Sequence, residues 1–166
     1  MPSRAELLRR ALEYPYATPL DSFLLAGERV LELEARQLDL SGRSPLIAYG
    51  SNASPEALRR KLGPEAEPVP ARRAVLEGFD AVYSAHVSVY GAVPATLLPC
   101  EPAALPVFVL HLTEAQRATI ARTEPNYEPR RLAGAVCAVE GVGPLSEPTA
   151  YVSRHGPLLQ RGSPLA

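Results

Sequence analysis

A loop of four polar or small residues lies where the chain passes from a predicted strand to a predicted helix. The loop consists of Tyr49, Gly50, Ser51 and Asn52. The apolar run 45–48 before it is typical of a buried strand, and Ser-Pro-Glu at 54–56 is typical of a helix start. Gly50 permits close approach of the backbone to a ligand, and free N–H groups before a helix can bind a carboxylate or an oxyanion. The loop therefore predicts an anion cradle; the alternative is an ordinary connection that binds nothing.

Two motifs of the chain resemble those of one known family. The string Ala-Tyr-Gly-Ser-Asn at 48–52 is followed by a helix, and a second helix, predicted over 113–122, leads into Glu124 and Tyr127. Both features resemble the signatures of the gamma-glutamylcyclotransferase-like family, including its plant-defence-related relatives. Shorter similarities at the strand starts 76–79, 91–97 and 107–110 extend the resemblance over about residues 45–139.

The resemblance implies a reaction within one substrate molecule. The free α-amine of a gamma-glutamyl group attacks its own side-chain carbonyl, closes 5-oxoproline and releases an amine or amino acid. In the family a glutamate is the general acid/base, and the matching residue here is Glu124. One carboxylate can take the proton from the attacking amine and return it to the leaving amine. The loop 49–52 would then hold the substrate carboxylate or the oxyanion, and Tyr127 would line the pocket.

The second motif departs from the family pattern. Many relatives have glycine after the glutamate and a longer gap to the tyrosine, whereas here Pro125 follows and Tyr127 is three residues on. The departure concerns the pocket shape and hence the substrate. Taken alone, Glu124 would equally be a solvated charge at a helix end.

Other polar residues are weaker candidates for chemistry. His86 and His111 lie in strand-like runs and His155 lies near the end of the chain, so a catalytic triad is not indicated. The pair Arg130-Arg131 could bind an acidic group, but a solvated pair is the simpler interpretation.

Composition limits the classes of partner. The chain has 166 residues, a net charge of -1 and 46% hydrophobic residues, so neither nucleic acid nor a membrane is expected as a partner. Cys100 and Cys137 lack the spacing of a metal site and are expected to be small buried residues. We therefore expect a small-molecule substrate, no metal, no cofactor and a cytoplasmic location, and we leave a homodimer open.

The predicted fold is α+β, a small mixed barrel of about five to seven strands with helices outside. Residues 1–43 are assigned to an N-terminal helical extension and 44–166 to the gamma-glutamylcyclotransferase-like domain. The extension contains a helix over 3–13, a second helix from Thr18 or Asp21, and a polar linker over 34–44. Further elements are predicted where apolar runs are separated by Gly and Pro. These are strands at 71–76, 79–90, 95–98, 107–112, 131–139 and 150–153, with poor order after Gly156.

Two other functions remain open. A binding module would keep the fold and the anion cradle without turnover. A structural protein would use residues 1–43 for oligomerisation and have a vestigial pocket, which a concave pocket containing Glu124 would count against.

Overall fold

The computed structural model describes residues 3–33 and 39–166. Its elements, in chain order, are α1 (Arg4–Leu12), β1 (Phe23–Ala26), β2 (Arg29–Glu32), β3 (Ser44–Ala48), α2 (Pro55–Leu62), β4 (Val69–Tyr83), β5 (Ala95–Leu112), α3 (Glu114–Thr123), β6 (Tyr127–Arg131), β7 (Val136–Val139), β8 (Gly143–Ser146), β9 (Thr149–Ser153), β10 (Leu159–Gln160) and β11 (Ser163–Pro164). A single 3₁₀ turn, Ser51–Ala53, lies between β3 and α2.

One sheet of nine strands organises the molecule. Its main path runs β2-β1-β4-β5-β3-β9-β6, with β7 paired to β4 and β8 paired to β7. The long strands β4 and β5 are antiparallel, and β3 and β9 are parallel. A β-bulge interrupts β4 at Gly78, where φ is +73° and a Cβ atom would lie 2.5 Å from the Glu101 carboxylate. Only glycine fits that position without strain.

Hydrophobic residues cover both faces of the central strands. Leu46 and Leu110 face a cluster that also contains Leu58 of α2 and Ile120 of α3. The neighbouring residue Ile47 faces a second cluster on the opposite side. Because successive side chains of a strand point to opposite faces, a strand covered on both sides has a continuous apolar sequence, as β3 does. The loop 49–52 therefore begins at the end of a fixed, buried strand.

The three predicted helices that flank the sheet are confirmed. The Ser3 side chain accepts a hydrogen bond from the Glu6 N–H at the start of α1. At the start of α3, Thr113 and Gln116 form the predicted reciprocal cap. Helix α2 ends at Gly63, where φ is +87°.

The predicted second N-terminal helix is wrong. Residues 23–32 form the hairpin β1–β2, and β1 pairs with β4. Gly27, with φ of +56°, makes the turn, and Phe23 and Leu25 alternate with less buried neighbours. The period of two suits a half-buried strand, and the helical interpretation missed it. Part of the predicted linker, residues 34–38, lies outside the described residues.

Several predicted strand bounds need correction. The predicted strands 71–76 and 79–90 join into β4 across the bulge, but β4 ends at Tyr83 and does not reach residue 90. The predicted strands 95–98 and 107–112 are parts of β5, which is continuous from residue 95 to 112. The predicted strand 131–139 is divided between β6 and β7 by a turn at Gly134. The segment after Gly156 is ordered as the hairpin β10–β11, and the Leu158 N–H donates to the Tyr83 carbonyl at 2.7 Å. Cys137 is buried as expected, but Cys100 is exposed.

The predicted α+β class is confirmed. The barrel is not, because among the described residues no ladder joins the edge strands β2 and β6, so the sheet stays open. No helix of the described residues is long and apolar enough to cross a membrane.

Candidate functional site

A concave cavity of about 310 Å³ lies between the two predicted motifs. Its lining includes the whole loop 49–52 together with Glu124 and Tyr127. The structure thus places all six sequence-predicted site residues around one cavity, although 72 positions separate Asn52 from Glu124. A concave site of this kind is what a small ligand needs.

Glu124 and Lys61 form an ion pair inside this cavity. The Lys61 ammonium lies 2.6 Å from Glu124 Oε1, and both side chains are only 12–13% exposed. Lys61 also donates to Asn52 Oδ1 at 2.6 Å and to Ser51 Oγ at 3.3 Å. The Asn52 amide donates to Glu124 Oε1 at 3.0 Å. The two motifs are therefore joined directly by hydrogen bonds, with Lys61 at the junction.

Helix packing explains why these residues meet. Leu58 of α2 and Ile120 of α3 belong to the same buried cluster and are both fully buried. Lys61 follows Leu58 by three residues, and Glu124 follows Ile120 by four. Residues three or four apart lie on one side of a helix, so the packing that buries the two apolar side chains brings the charged ones together at the next turn.

Burial affects the protonation of Lys61. It lowers the pKa of the ammonium, and the Glu124 carboxylate acts in the opposite direction. The three N–H bonds of the ammonium have three oxygen partners, on Glu124, Asn52 and Ser51. Such complete pairing offsets part of the cost of removing the charge from water.

Two sets of polar atoms near the pair remain available. Within residues 3–33 and 39–166, Glu124 Oε2 takes part in no hydrogen bond, while Oε1 accepts two. Over the same residues, the backbone N–H groups of Ser51 and Asn52 donate to no carbonyl, as is usual at the start of a helical turn. A carboxylate oxygen that can accept a proton and two backbone N–H groups that can donate hydrogen bonds thus border the same cavity.

Tyrosines form much of the remaining wall. The Tyr127 hydroxyl donates to the Ala95 carbonyl at 2.8 Å, and the Tyr14 hydroxyl accepts from the Ala95 N–H at 2.8 Å. The Tyr49 hydroxyl donates to the Tyr151 carbonyl. Burial raises the pKa of Tyr14 to about 12 and raises that of Tyr49 and Tyr127 as well. These phenols are therefore neutral near pH 7.

His86 is also in the wall, but its partners indicate a structural role. Its Nδ1 lies 2.8 Å from the hydroxyl of the buried Ser84, and its ring lies 4.7 Å from that of His155. Burial first, and then the charge of His155, lowers the pKa of His86. Arg130 and Arg131 are exposed and each pairs with a half-buried glutamate, which supports the interpretation of a solvated pair.

Sequence reasoning missed three of the cavity's functional groups. Lys61 is the only lysine of the chain, and this rarity was the one feature of the sequence that distinguished it from the many arginines. Arg10 and Tyr14 reach the cavity from α1 and the segment after it, far outside the family motifs. Among the described residues, no group of three His, Cys, Asp or Glu side chains has the arrangement of a metal site.

Comparison with known proteins gives information on the fold only. No protein-family model and no curated protein matches the chain. A solution structure of a protein from Arabidopsis thaliana is similar over 74% of each chain, with a TM-score of 0.52 and 18% sequence identity. A second Arabidopsis thaliana solution structure covers 67% of this chain and 62% of its own, with a TM-score of 0.47 and 16% identity. At 18% identity the first similarity shows that this overall fold also occurs in a plant protein.

Proposed function

We propose that the protein is a gamma-glutamylcyclotransferase-like enzyme that converts a gamma-glutamyl amide into 5-oxoproline and a free amine. The observation that carries the proposal is the position of Glu124, in a cavity with one carboxylate oxygen held and the other unpaired within the described residues. The proposal includes a cytoplasmic location.

The proposed reaction needs no second substrate. Glu124 takes a proton from the substrate α-ammonium, and the neutral amine attacks the side-chain carbonyl carbon. The new C–N bond closes a five-membered ring, and the carbonyl oxygen becomes an oxyanion near the N–H groups of Ser51 and Asn52. The C–N bond to the leaving amine then breaks while Glu124 returns the proton to its nitrogen. The ring nitrogen still carries a second proton, which passes through Glu124 to the released amine, so the products are the neutral lactam and an ammonium. Atoms and charge balance without water.

Lys61 gives the cavity a cation that the reaction can use. Its ammonium lies where a substrate ammonium would have to approach Glu124 Oε1. The unpaired Oε2 lets the substrate bind Glu124 without breaking that pair. Lys61 can then either compensate the negative charge of Glu124 or bind the α-carboxylate of the substrate, because that group carries the opposite charge.

The same ion pair favours the second candidate, a binding module. The Glu124 carboxylate is already paired through Oε1 with an ammonium at 2.6 Å, and the role of such a pair can be simply to hold α2 against α3. The protein would then bind a gamma-glutamyl ligand through the loop 49–52 without turning it over.

The substitution Glu124→Gln tests the proposal. The amide has nearly the shape of the carboxylate but cannot accept the proton, so kcat should fall by about 10²–10⁴-fold, which is the usual contribution of a general acid/base. The assay is the formation of 5-oxoproline from gamma-glutamyl substrates. Glu114→Gln is the matched control, because Glu114 is exposed at the other end of α3, and this variant should keep wild-type turnover. Normal turnover in a folded Glu124→Gln variant would remove Glu124 from the mechanism.

A further inference from the structure

Two arginines border the cavity with their guanidinium groups held against aromatic rings. Arg10 of α1 lies 5.0 Å from the centre of the Tyr90 ring, and Arg60 of α2 lies 5.0 Å from the centre of the Tyr16 ring. Both arginines line the same cavity as Glu124. A guanidinium stacked on a ring is held in orientation, yet the N–H groups along its edge stay free to bind a carboxylate in a bidentate manner.

The positive charge of this pair is largely uncompensated. Among the described residues, Arg10 has no carboxylate within 4.0 Å, and its Nε is buried without a hydrogen-bond partner. Arg60 has one weak contact, 3.5 Å to the half-exposed Glu56. Glu124 is already paired with Lys61. The charges of Arg60 and Arg10 also contribute to lowering the pKa of Lys61, so their field reaches the ion pair. The cavity thus has an excess of positive charge that an anionic ligand would neutralise.

We propose that Arg10 and Arg60 form a subsite for a carboxylate on the leaving amine. The inference rests on the proposed function, in which Glu124 and the loop 49–52 take the gamma-glutamyl part and leave the arginines to the other end of the substrate. The enzyme then acts on gamma-glutamyl amino acids or peptides, and discriminates against gamma-glutamyl derivatives of neutral amines. Helix α1, which lies outside the family motifs, supplies half of this subsite.

A simpler role for the two arginines is to fasten α1 to its neighbours through the aromatic rings. That role predicts that their loss affects stability and all substrates alike. A carboxylate subsite predicts that their loss affects the substrate that carries the carboxylate more than the substrate that lacks it.

The test compares two substrates that differ by one carboxylate, gamma-glutamylalanine and gamma-glutamylethylamine. For the wild type we expect kcat/KM to be at least about 10-fold higher with gamma-glutamylalanine, since one charge-assisted contact of about 1.4 kcal/mol corresponds to tenfold. Arg10→Gln and Arg60→Gln should each lose most of this preference, because kcat/KM falls further with gamma-glutamylalanine than with gamma-glutamylethylamine. Arg9→Gln, on the same helix but outside the cavity lining, should behave as wild type. Equal kcat/KM of the wild type for both substrates would overturn the subsite, and this comparison needs no variant to fold.

A binding measurement separates this inference from the proposed reaction. Glutarylalanine and glutarylethylamine lack the α-amine and cannot cyclise, so calorimetry reports their affinity whether or not the protein is an enzyme. Tighter binding of glutarylalanine to the wild type, reduced by Arg10→Gln, supports the subsite even where no 5-oxoproline forms. Equal affinity for the two compounds contradicts the subsite, and 5-oxoproline formation by the same protein would leave the proposed reaction intact.

Discussion

The two walls of the cavity are attached to the molecule in different ways. One, the motif wall, consists of the loop 49–52, Lys61 and Glu124, and it continues directly from buried elements such as β3 and Leu58. The other, the N-terminal wall, consists of Arg10 of α1 and Tyr14 just after it. Helix α1 has no buried residue, and its Leu8 and Leu12 are 59% and 76% exposed. Hydrogen bonds and cation–π contacts hold this second wall in place.

The difference assigns separate tasks to the two walls. Reacting groups have to be held within a fraction of an ångström, and a wall continuous with the core provides that precision. A wall attached by a few polar contacts can vary in sequence without disturbing the core, and it is suited to selecting the leaving group. Substitutions in the motif wall should therefore change stability and turnover more than substitutions in the N-terminal wall do.

Among the substitutions considered, Lys61→Met should reduce the stability of the protein the most. The substitution leaves the largely buried Glu124 carboxylate without its cation. Removing one partner of a buried ion pair lowers the free energy of unfolding by about 3 kcal/mol. Urea unfolding measures this loss. Adding Glu124→Gln should recover part of it, because the uncompensated charge is then removed.

An exposed pair in α1 is the control for that experiment. Arg9 and Glu13 lie 2.7 Å apart, almost as close as Lys61 and Glu124, but their side chains are 51% and 45% exposed. Arg9→Met should therefore change the free energy of unfolding by less than about 0.5 kcal/mol. A Lys61→Met variant as stable as Arg9→Met would contradict the buried ion pair.

The N-terminal wall can be tested through the alkaline titration of Tyr14. Burial raises the pKa of its phenol to about 12 from an ordinary value of 10.0. Between these pH values the unfolded chain loses the proton first, so the folded protein binds more protons and its stability falls as the pH rises. The contribution of this phenol is complete below pH 10.0 and decreases by roughly 1.4 kcal/mol for each pH unit up to about 12.

Tyr14→Phe isolates this contribution. The variant should be less stable near pH 7 by about 1 kcal/mol, because the Ala95 N–H loses its partner, and it should lose stability less steeply between pH 10 and 12. Tyr83→Phe, at an exposed position of β4, is the control and should leave both quantities unchanged. Identical alkaline slopes in the wild type and Tyr14→Phe would mean that Tyr14 is not buried in this wall.

The elements that carry the motif wall were predicted from the sequence because local signals agreed there, although Lys61 was missed. The apolar run of β3, the helix start at Pro55 and the cap of α3 at Thr113 each identify an element without knowledge of distant contacts. Asn52 and Glu124, which line the cavity from the ends of these elements, were selected because they match the family motifs, and not from the element signals alone.

The N-terminal wall could not be predicted in this way. Its position depends on long-range contacts such as that between Tyr14 and Ala95, 81 residues apart, which leave no local pattern. The hairpin β1–β2 was mistaken for a helix because its four-residue strands give too short a pattern to distinguish the two periods. Lys61 was missed because a lysine in the last turn of a helix is usually solvated, and only the packing of Leu58 on Ile120 brings it to Glu124.

The most direct test of ring closure at Glu124 is to follow oxygen in the product. Wild-type protein is incubated with gamma-glutamylalanine in H₂¹⁸O, with Glu124→Gln as the control for spontaneous cyclisation, and the products are analysed by mass spectrometry. Attack by the substrate's own amine predicts 5-oxoproline and alanine in equal amounts, with no ¹⁸O in either. Glutamate containing ¹⁸O would show hydrolysis by water, and 5-oxoproline at the rate of the Glu124→Gln control would show that the site binds without catalysing; either result would contradict the account.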